Sequence, residues 1–392
     1  MTRSVYADHA AATRLRPEAL AAMIPFLESD FGNPLSVHSF GDVPREALER
    51  AREQVAQLIG ASPAEIYFTA SGSEANNAAI KGVALMNRKK GNHIVVSAIE
   101  HQSVLNPVAT LEKLGFEVTQ VAVDRLGTVT ADAVAQAMRD DTVLVSIMLA
   151  NNEIGTIEPV HEIARVVHQR DVIFHSDAVA AVGKVPVDVN QLGVDMLSLA
   201  GNQFYGPVGS GALFIRRGVR VTPLIEGGVQ EKGRRAGTEN IPAIVGLGVA
   251  AELSRQEIVV NAERLTTIRD HLIARLTTEI DNVILTGHPT QRLPHHASVC
   301  VEFVEGEAML LMLNMYGIAA SSGSTCTSKA LKASHVLTAL GIDIAVAQGS
   351  LVFTLGRDNT LEDVDYIADK LPPIVERLRA MSPLFPGNMR EQ

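Results

Sequence analysis

The chain has 392 residues, of which 46% are hydrophobic, and a formal net charge of -10 at pH 7. This length and apolar content suffice for a large core, which we expect to be divided between two domains. The acidic balance disfavours nucleic acid or a membrane surface as the main partner, and no apolar run reaches membrane-spanning length. Two cysteines are too few for a disulfide framework and are typical of a reducing cytoplasm, where we expect this protein because no signal-peptide pattern is present.

Short apolar segments alternate with helix-length segments through the first two thirds of the chain. We predict strands at residues 65–69, 93–98, 118–121, 142–148, 172–175, 195–200 and 211–215. This alternation predicts an α/β fold with a mostly parallel sheet between helices, whose ligands bind at the carboxyl ends of the strands. A long apolar helix is predicted from about Ile241, and the pattern changes after about Arg264 to helix, strand and helix units. We therefore predict a large α/β domain at residues 15–263 and a smaller α+β domain formed by residues 1–14 and 264–392.

Polar side chains follow four of these predicted strands. A turn of small residues opens a helix near Ser73, where backbone amides would bind a phosphate or where a serine simply caps the helix. His101 follows the second strand and is either a structural histidine or part of a site. Asn152 lies in the segment NNEIG after the fourth strand, and Asp177 ends the fifth. Four polar signals at strand ends together predict one ligand site.

The most informative segment is MLSLAGNQFYGPVGSG at residues 196–211. It resembles the S-G-H-K-x-x-G-P-x-G-x-G signature of cysteine desulfurases of the NifS/IscS type, within the class V aminotransferase family. The resemblance extends over almost the whole chain. It implies the type I fold of pyridoxal-phosphate-dependent transferases, with a large domain built on a mostly parallel sheet and a smaller α+β domain. Gln203 stands where the family has the lysine that captures the cofactor aldehyde.

The resemblance also implies roles for the predicted site residues. The helix near Ser73 would bind the cofactor phosphate, and His101 would stack on the cofactor ring. Asn152 would approach the ring hydroxyl, and Asp177 would keep the pyridine nitrogen protonated. Thr238, in RRAGTEN at residues 234–240, would reach the phosphate in the partner subunit.

Several positions depart from the family pattern. Ala180 replaces a glutamine that contacts the ring hydroxyl, and Ala200 and Asn202 replace a serine and a histidine. Val352 replaces the arginine that holds the substrate carboxylate. An amide such as that of Gln203 is neither nucleophilic nor basic, so it cannot form a Schiff base. We therefore expect no covalent pyridoxal phosphate and at most weak, non-covalent occupancy of a vestigial pocket.

Two other segments keep the family pattern. FGNPLSVHSFG at residues 31–41 resembles the N-terminal loop of the family, and RRAGTEN is read as an interface loop rather than a solvated basic loop. Both would leave polar groups unpaired around an open cleft in a monomer. We therefore expect a homodimer with two-fold symmetry.

The segment SSGSTCTS at residues 321–328 resembles the loop on which these enzymes carry the sulfur-accepting cysteine. We predict that Cys326 is accessible and accepts a persulfide, or ligates a metal-sulfur cluster shared with a partner protein, since one thiolate cannot hold a cluster. A relic loop with an inert thiol is the alternative. Cys300, in the strand-like SVCVEF, is predicted to be a core residue, and the adjacent His295 and His296 to be structural.

Three functional hypotheses follow. The first is a dimeric cysteine-desulfurase-like pseudoenzyme that acts in sulfur transfer or iron-sulfur cluster assembly without normal desulfurase activity, with Cys326 as the acceptor and a scaffold protein as partner. The second is a cysteine desulfurase with non-covalent pyridoxal phosphate. In the third, the altered pocket of a dimer binds another small ligand.

Overall fold

The computed structural model describes residues 3–323, 333–383 and 385–386. Its strands are β1 (Val5–Tyr6), β2 (Ile66–Thr69), β3 (His93–Ser97), β4 (Glu117–Val121), β5 (Thr142–Ser146), β6 (Ile173–Asp177), β7 (Met196–Ala200), β8 (Gly211–Ile215), β9 (Val283–Leu285), β10 (His296–Val301), β11 (Ile318–Ala319) and β12 (Ser350–Thr354). Its helices are α1 (Pro17–Glu28), α2 (Ser39–Leu58), α3 (Gly72–Asn87), α4 (Gln102–Lys113), α5 (Ala131–Ala137), α6 (Val160–His168), α7 (Val189–Leu192), α8 (Ile241–Glu279), α9 (Gly306–Met315), α10 (His335–Ala339), α11 (Ile344–Ala347) and α12 (Leu361–Met381).

A seven-stranded sheet in the order β2-β8-β7-β6-β5-β3-β4 forms the centre of the larger part of the protein. β8 pairs antiparallel with both β2 and β7, and the remaining pairs are parallel. The predicted α/β fold with a mostly parallel sheet is therefore confirmed. All seven predicted strands are present, with ends displaced by at most two residues.

Both faces of this sheet are buried, which explains why its strands are continuous apolar runs. Val95 and Phe174 point into one core, which α2, α6 and the start of α8 complete. Ile94 and Val96 point to the opposite face, where α3 and α4 pack. Because side chains alternate along each strand, one short segment supplies both cores.

A smaller set of elements packs around a second core. β12, β10 and β9 form an antiparallel sheet, and β1 from the N-terminus pairs in parallel with β11. Leu272, Phe353 and Leu371 are fully buried in this second core. The N-terminal segment thus packs with the C-terminal elements. The division of the chain into residues 15–263 and residues 1–14 with 264–392 stays a prediction.

The 39-residue helix α8 connects the two cores. Leu247 near its start is buried in the first core, and Leu272 near its end in the second. The predicted domain boundary at 263/264 lies inside this continuous helix, because its second half has no proline or glycine to end it. The exact boundary stays a prediction.

No helix in the described part of the chain is both long and apolar enough to cross a membrane.

Candidate functional site

A cavity of about 660 Å³ opens at the carboxyl edge of the seven-stranded sheet. Segments that follow β2, β3, β5, β6 and β7 line it from one side. From the other side, the segments after β1 and β11 contribute residues, and so does β12. Five predicted site residues lie on its wall, namely Ser73, His101, Asn152, Asp177 and Gln203. The polar residues at the strand ends thus lie together at one edge of the sheet, where the sequence predicts a ligand site.

Asp177 is the buried carboxylate of this cavity. Its Oδ2 accepts a hydrogen bond of 2.6 Å from Asn76 Nδ2, and its Oδ1 accepts one of 3.0 Å from the backbone amide of Val179. Burial raises the pKa of Asp177, because desolvation disfavours the carboxylate. A cationic group of a ligand would offset this effect, so Asp177 fits a protonated ring nitrogen.

A chain of hydrogen bonds connects Asp177 to His101. The Nδ2 of Asn76, which donates to Asp177, also lies 2.8 Å from Ser103 Oγ. Ser103 Oγ is 2.7 Å from Nδ1 of His101, and the Ser103 amide donates to the same nitrogen at 3.1 Å. The imidazole is therefore held at the start of α4 by its own helix.

Asn76 and Ser103 are functional candidates that the sequence did not reveal. Asn76 lies in the second turn of α3 and is almost fully buried, with its Oδ1 lacking a hydrogen-bond partner. An unsatisfied buried oxygen in a ligand cavity indicates that a ligand donor completes it. The only signal in the sequence was the pair Asn76 and Asn77 in the second turn of the helix, followed by apolar residues.

Helix α3 begins one residue earlier than predicted. Its N-cap is Ser71, whose side chain accepts from the amide of Glu74 at 3.1 Å. Ser73 is therefore inside the first turn, where backbone amides have no intrahelical partner. Ser71, Gly72 and Ser73 line the cavity, so free amides at this helix start would bind an anionic group such as a phosphate.

Gln203 ends a short 3-10 turn, Gly201–Gln203, directly after β7. Its Nε2 donates a hydrogen bond of 2.8 Å to the carbonyl oxygen of Ala10. Among the described residues that line the cavity, none is a lysine. The other departures from the family pattern line the same cavity, namely Ala180, Ala200, Asn202 and Val352.

The NNEIG segment positions Asn152 and Glu153 on the cavity wall. Asn151 is fully buried, and its Oδ1 accepts from the amides of Glu153 and Ile154 at 2.8 and 3.0 Å. Burial raises the pKa of Glu153 to about 7, although the hydroxyl of Ser334 donates to its carboxylate. His296 lies 2.9 Å from the Asn152 carbonyl through Nε2, which fits the structural role predicted for it.

Thr238 does not line the cavity and is exposed. It follows Arg235, whose Nε donates to Glu74 at 2.9 Å, so its loop lies near the first turn of α3. Thr238 therefore does not reach the cavity of its own chain. Its predicted contact with the phosphate in a partner subunit stays a prediction.

Of the two cysteines, the structure describes Cys300 but not Cys326. Cys300 is fully buried in β10, and burial raises the pKa of its thiol to about 12, as the predicted core role requires. Cys326 lies outside the described residues. Within the described residues, no group of three or more histidine, cysteine or acidic side chains could hold a metal ion.

Glu100, immediately behind His101, supplies a testable pH dependence. It is fully buried, and burial raises its pKa to about 8 even though Ser97 Oγ and the Met148 amide donate to Oε1 at 2.6 and 2.8 Å. Because the folded state holds this proton more tightly than the unfolded state does, the free energy of unfolding should fall as pH rises from about 4.5 to about 8. Glu100→Gln keeps the accepting oxygen and stays neutral, so it should lose this pH dependence.

We therefore compare the free energies of unfolding of Glu100→Gln and of the parent at pH 5 and at pH 9. The difference, variant minus parent, should be larger at pH 9 than at pH 5 by a few kcal/mol. Denaturant unfolding at both pH values measures the difference, with Glu112→Gln on the exposed face of α4 as the control. A constant difference between parent and Glu100→Gln across this range would contradict the prediction.

Comparisons with known proteins identify relatives along the whole chain. Residues 5–367 match the family model described as Aminotransferase class-V. Cysteine desulfurase IscS of Methanosarcina thermophila is 50% identical over 388 residues, which is 99% of this chain and 96% of the relative. Its counterpart in Dictyoglomus turgidum is 50% identical over 383 residues, or 98% of this chain and 97% of the relative.

Solved structures agree with these sequence relatives. A NifS-like protein superposes with a TM-score of 0.90 at 37% identity, over 96% of this chain and all of that protein. SspA in complex with cysteine superposes with a TM-score of 0.78 at 34% identity, over 90% of this chain and 99% of SspA. The fold expected from the resemblance is confirmed.

These comparisons correct one prediction. The expectation that no covalent pyridoxal phosphate is bound is wrong for this family, because cysteine desulfurases as similar as these relatives hold the cofactor covalently. Gln203 and the four other departures from the family pattern occur in a chain that is 50% identical to a cysteine desulfurase over 99% of its length. The predicted pseudoenzyme status also finds no support in relatives named as desulfurases.

Proposed function

The chain belongs to the aminotransferase class-V family, and from this membership we propose that it is a pyridoxal-phosphate protein of the cysteine desulfurase type. It takes sulfur from a small cysteine-like aminothiol, holds the sulfur on Cys326 and passes it to an acceptor or scaffold protein in iron-sulfur assembly. The observation that carries this proposal is the connected set Asp177, Asn76, Ser103 and His101 in one cavity at the carboxyl edge of the sheet.

The cavity fits the cofactor at three places. Asp177, whose pKa is raised by burial, would pair with the protonated ring nitrogen, and the unpartnered Oδ1 of Asn76 lies beside it. The first-turn amides of α3 near Ser73 would hold the phosphate. When bound, the cofactor supplies an electron sink for cleavage of bonds next to the substrate amine.

The residues of this chain divide the remaining tasks. His101 is the imidazole of the cavity, and because Ser103 engages its Nδ1, its Nε2 is the nitrogen left to exchange a proton. Gln203 is neutral and fixes the backbone of Ala10 to the end of β7. Cys326 would receive sulfur, since a thiolate is the nucleophile that forms a persulfide.

A second candidate function is favoured by the altered residues of the cavity. Gln203 stands in place of a lysine, and Val352 in place of an arginine. A protein that keeps Cys326 and the scaffold but releases sulfur from no aminothiol would be a sulfur-transfer pseudoenzyme or a ligand-binding dimer. In either case a reducing compartment, the cytoplasm, suits a protein that works through one free thiol.

One preparation separates the two candidates. The protein as purified is reduced with borohydride and digested, and mass spectrometry searches its lysines for a pyridoxyl adduct. A second portion receives cysteine, and persulfide on Cys326 is measured by alkylation and mass analysis. The proposal expects an adduct and a persulfide, and the mapping identifies the lysine, since position 203 is glutamine. If neither the pyridoxyl adduct nor the persulfide were found, the desulfurase proposal would be wrong and the second candidate function would remain.

We further propose that the protein is a homodimer. Phe31 and Phe40 pack at a ring distance of 6.2 Å, yet their residues are 73% and 63% exposed, and Val37 between them is fully exposed. A contiguous apolar patch of this kind, on the segment that resembles the family loop, is typical of an interface.

Light scattering at micromolar concentration should therefore give twice the mass of the chain. Phe40→Lys should shift the protein towards monomer, because a desolvated ammonium at an interface core is costly. Met315→Lys, at an exposed apolar position on α9, is the matched control and should leave the mass unchanged. A monomeric parent protein would contradict the proposal.

A further inference from the structure

The cavity has an uneven charge. Three carboxylates line it, those of Asp8, Glu153 and Asp177, whereas none of the described lining residues is a lysine or an arginine. Asp177 is allotted to the cofactor nitrogen under the proposed function. Asp8 and Glu153 are then the acidic groups that remain to face a substrate.

Asp8 lies on the side of the cavity formed by the smaller set of elements. It forms an isolated parallel bridge with Thr354 at the end of β12, and its side chain hydrogen-bonds to Ser321. No ion pair involving Asp8 occurs within the described residues, and burial raises the pKa of its carboxyl group. A ligand group next to Asp8 therefore meets an acceptor without a neutralising cation.

Val352 is linked to Asp8 through Ser321. Its amide donates to the Ser321 carbonyl at 2.7 Å, and the Ser321 amide donates back at 3.1 Å. The same Ser321 thus contacts both Asp8 and Val352, and all three residues line the cavity. The wall here consists of a carboxylate, a hydroxyl group and the methyl groups of a valine.

A ligand carboxylate against this wall would be buried beside a like charge and would find no positive partner among the described lining residues. Such a placement is unfavourable, because a buried charge requires a counter-charge or several donors. An amide, or no group at all, avoids the repulsion. An amide also offers N–H donors to Asp8.

We propose that this cavity selects aminothiols whose carboxylate is absent or masked as an amide, with Asp8 and Val352 as the residues that determine this selection. The inference rests on the proposed function and specifies its substrate class. Free cysteine is accordingly the poorer substrate, and a carboxamide or decarboxylated aminothiol is the better one.

Binding of two matched probes tests the inference without turnover. L-alanine and L-alaninamide differ only at the carboxyl group and carry no thiol, so calorimetry on the purified dimer measures the selection itself. We expect alaninamide to bind at least about 10-fold more tightly than alanine, which is the lower range for a charged contact. Preference for alanine, or no binding of either probe, would overturn the inference.

Two variants locate the cause. Asp8→Asn should reduce the preference for alaninamide to about parity, and Val352→Arg should reverse it in favour of alanine by about 10-fold or more. Asp140→Asn, at an exposed site between α5 and β5, is the control and should leave the preference unchanged. If Asp8→Asn and Val352→Arg both kept the parent's preference, the assignment to these residues would be wrong.

The failure of this inference is distinguishable from failure of the proposed function. Cysteine and cysteinamide are offered to the same protein, and persulfide on Cys326 is measured for each. Faster sulfur transfer from cysteine than from cysteinamide would reject the selection and keep the desulfurase function. Binding selection without sulfur transfer from either thiol would reject the function and keep the selection.

Discussion

Replacing Cys326 with serine is expected to abolish sulfur transfer to an acceptor protein, whereas Cys300→Ala should retain it. A serine oxygen cannot hold transferred sulfur, and a thiolate is needed to attack the sulfur donor. Cys300 is fully buried with a pKa raised to about 12, so almost none of it is thiolate at neutral pH. Sulfide or persulfide delivered to a thiol acceptor measures the effect.

Alkylation rates supply an independent measurement for the same prediction. An ordinary accessible thiol has a pKa of about 8.5, so at pH 8 Cys326 should react at least about 100-fold faster than Cys300. Mass spectrometry after timed labelling assigns each rate, and the Cys300→Ala protein confirms the assignment. Equal and slow labelling, together with a fully functional Cys326→Ser protein, would leave a ligand-binding dimer as the better description.

Removing the carboxylate of Glu231 is expected to destabilise the fold by about 3–5 kcal/mol. Both guanidinium Nη atoms of Arg52 donate to Glu231 at 2.8 Å, and the Phe68 amide donates to Glu231 at 2.8 Å. The two charged side chains are only 5% and 2% exposed. Glu231→Ala therefore leaves the buried guanidinium with only the exposed Glu49, 3.2 Å from its Nε, as a counter-charge, and urea unfolding measures the loss.

Two further variants show that charge, rather than packing, is the cause. Arg52→Met combined with Glu231→Ala should be less destabilised than Glu231→Ala alone, because no unpaired charge remains buried. Asp42→Ala removes an exposed partner of Arg45 in the same helix and should cost only about 0–1 kcal/mol. If Glu231→Ala lowered the free energy of unfolding no more than Asp42→Ala does, the buried Arg52–Glu231 pair would not stabilise the fold as predicted.

Position along the chain determined which parts of the site the sequence could predict. Asp177 and His101 follow parallel strands, and the carboxyl ends of such strands share one edge, so their proximity could be predicted from strand order alone. Asn76 and Ser103 were missed because each lies inside a helix. From the sequence alone, a polar residue in a helix that faces the cavity cannot be distinguished from one that faces solvent, because the packing of the helix decides between them.

Long-range contacts were likewise not predictable. Gln203 donates to Ala10, which is 193 residues away, and this pairing depends on how the N-terminal segment packs against β7. The charge of the cavity near Asp8 also requires the positions of Ser321 and Val352, which come from separate strands. The expectation of no covalent cofactor, which rested on Gln203 and on the other altered positions of the cavity, is contradicted by the family to which the chain belongs.

The continuous helix α8 has a mechanical consequence for the cavity. At about 1.5 Å per residue its 39 residues extend for about 58 Å, from one core to the other. Bending such a helix strains its hydrogen-bond ladder, so it yields gradually rather than at a point unless a proline or glycine interrupts it. Residues 249–279 of α8 contain neither proline nor glycine. We therefore expect this part of the helix to bend gradually rather than at a hinge, and the distance across the cavity between Asp177 and Val352 to change by small continuous amounts.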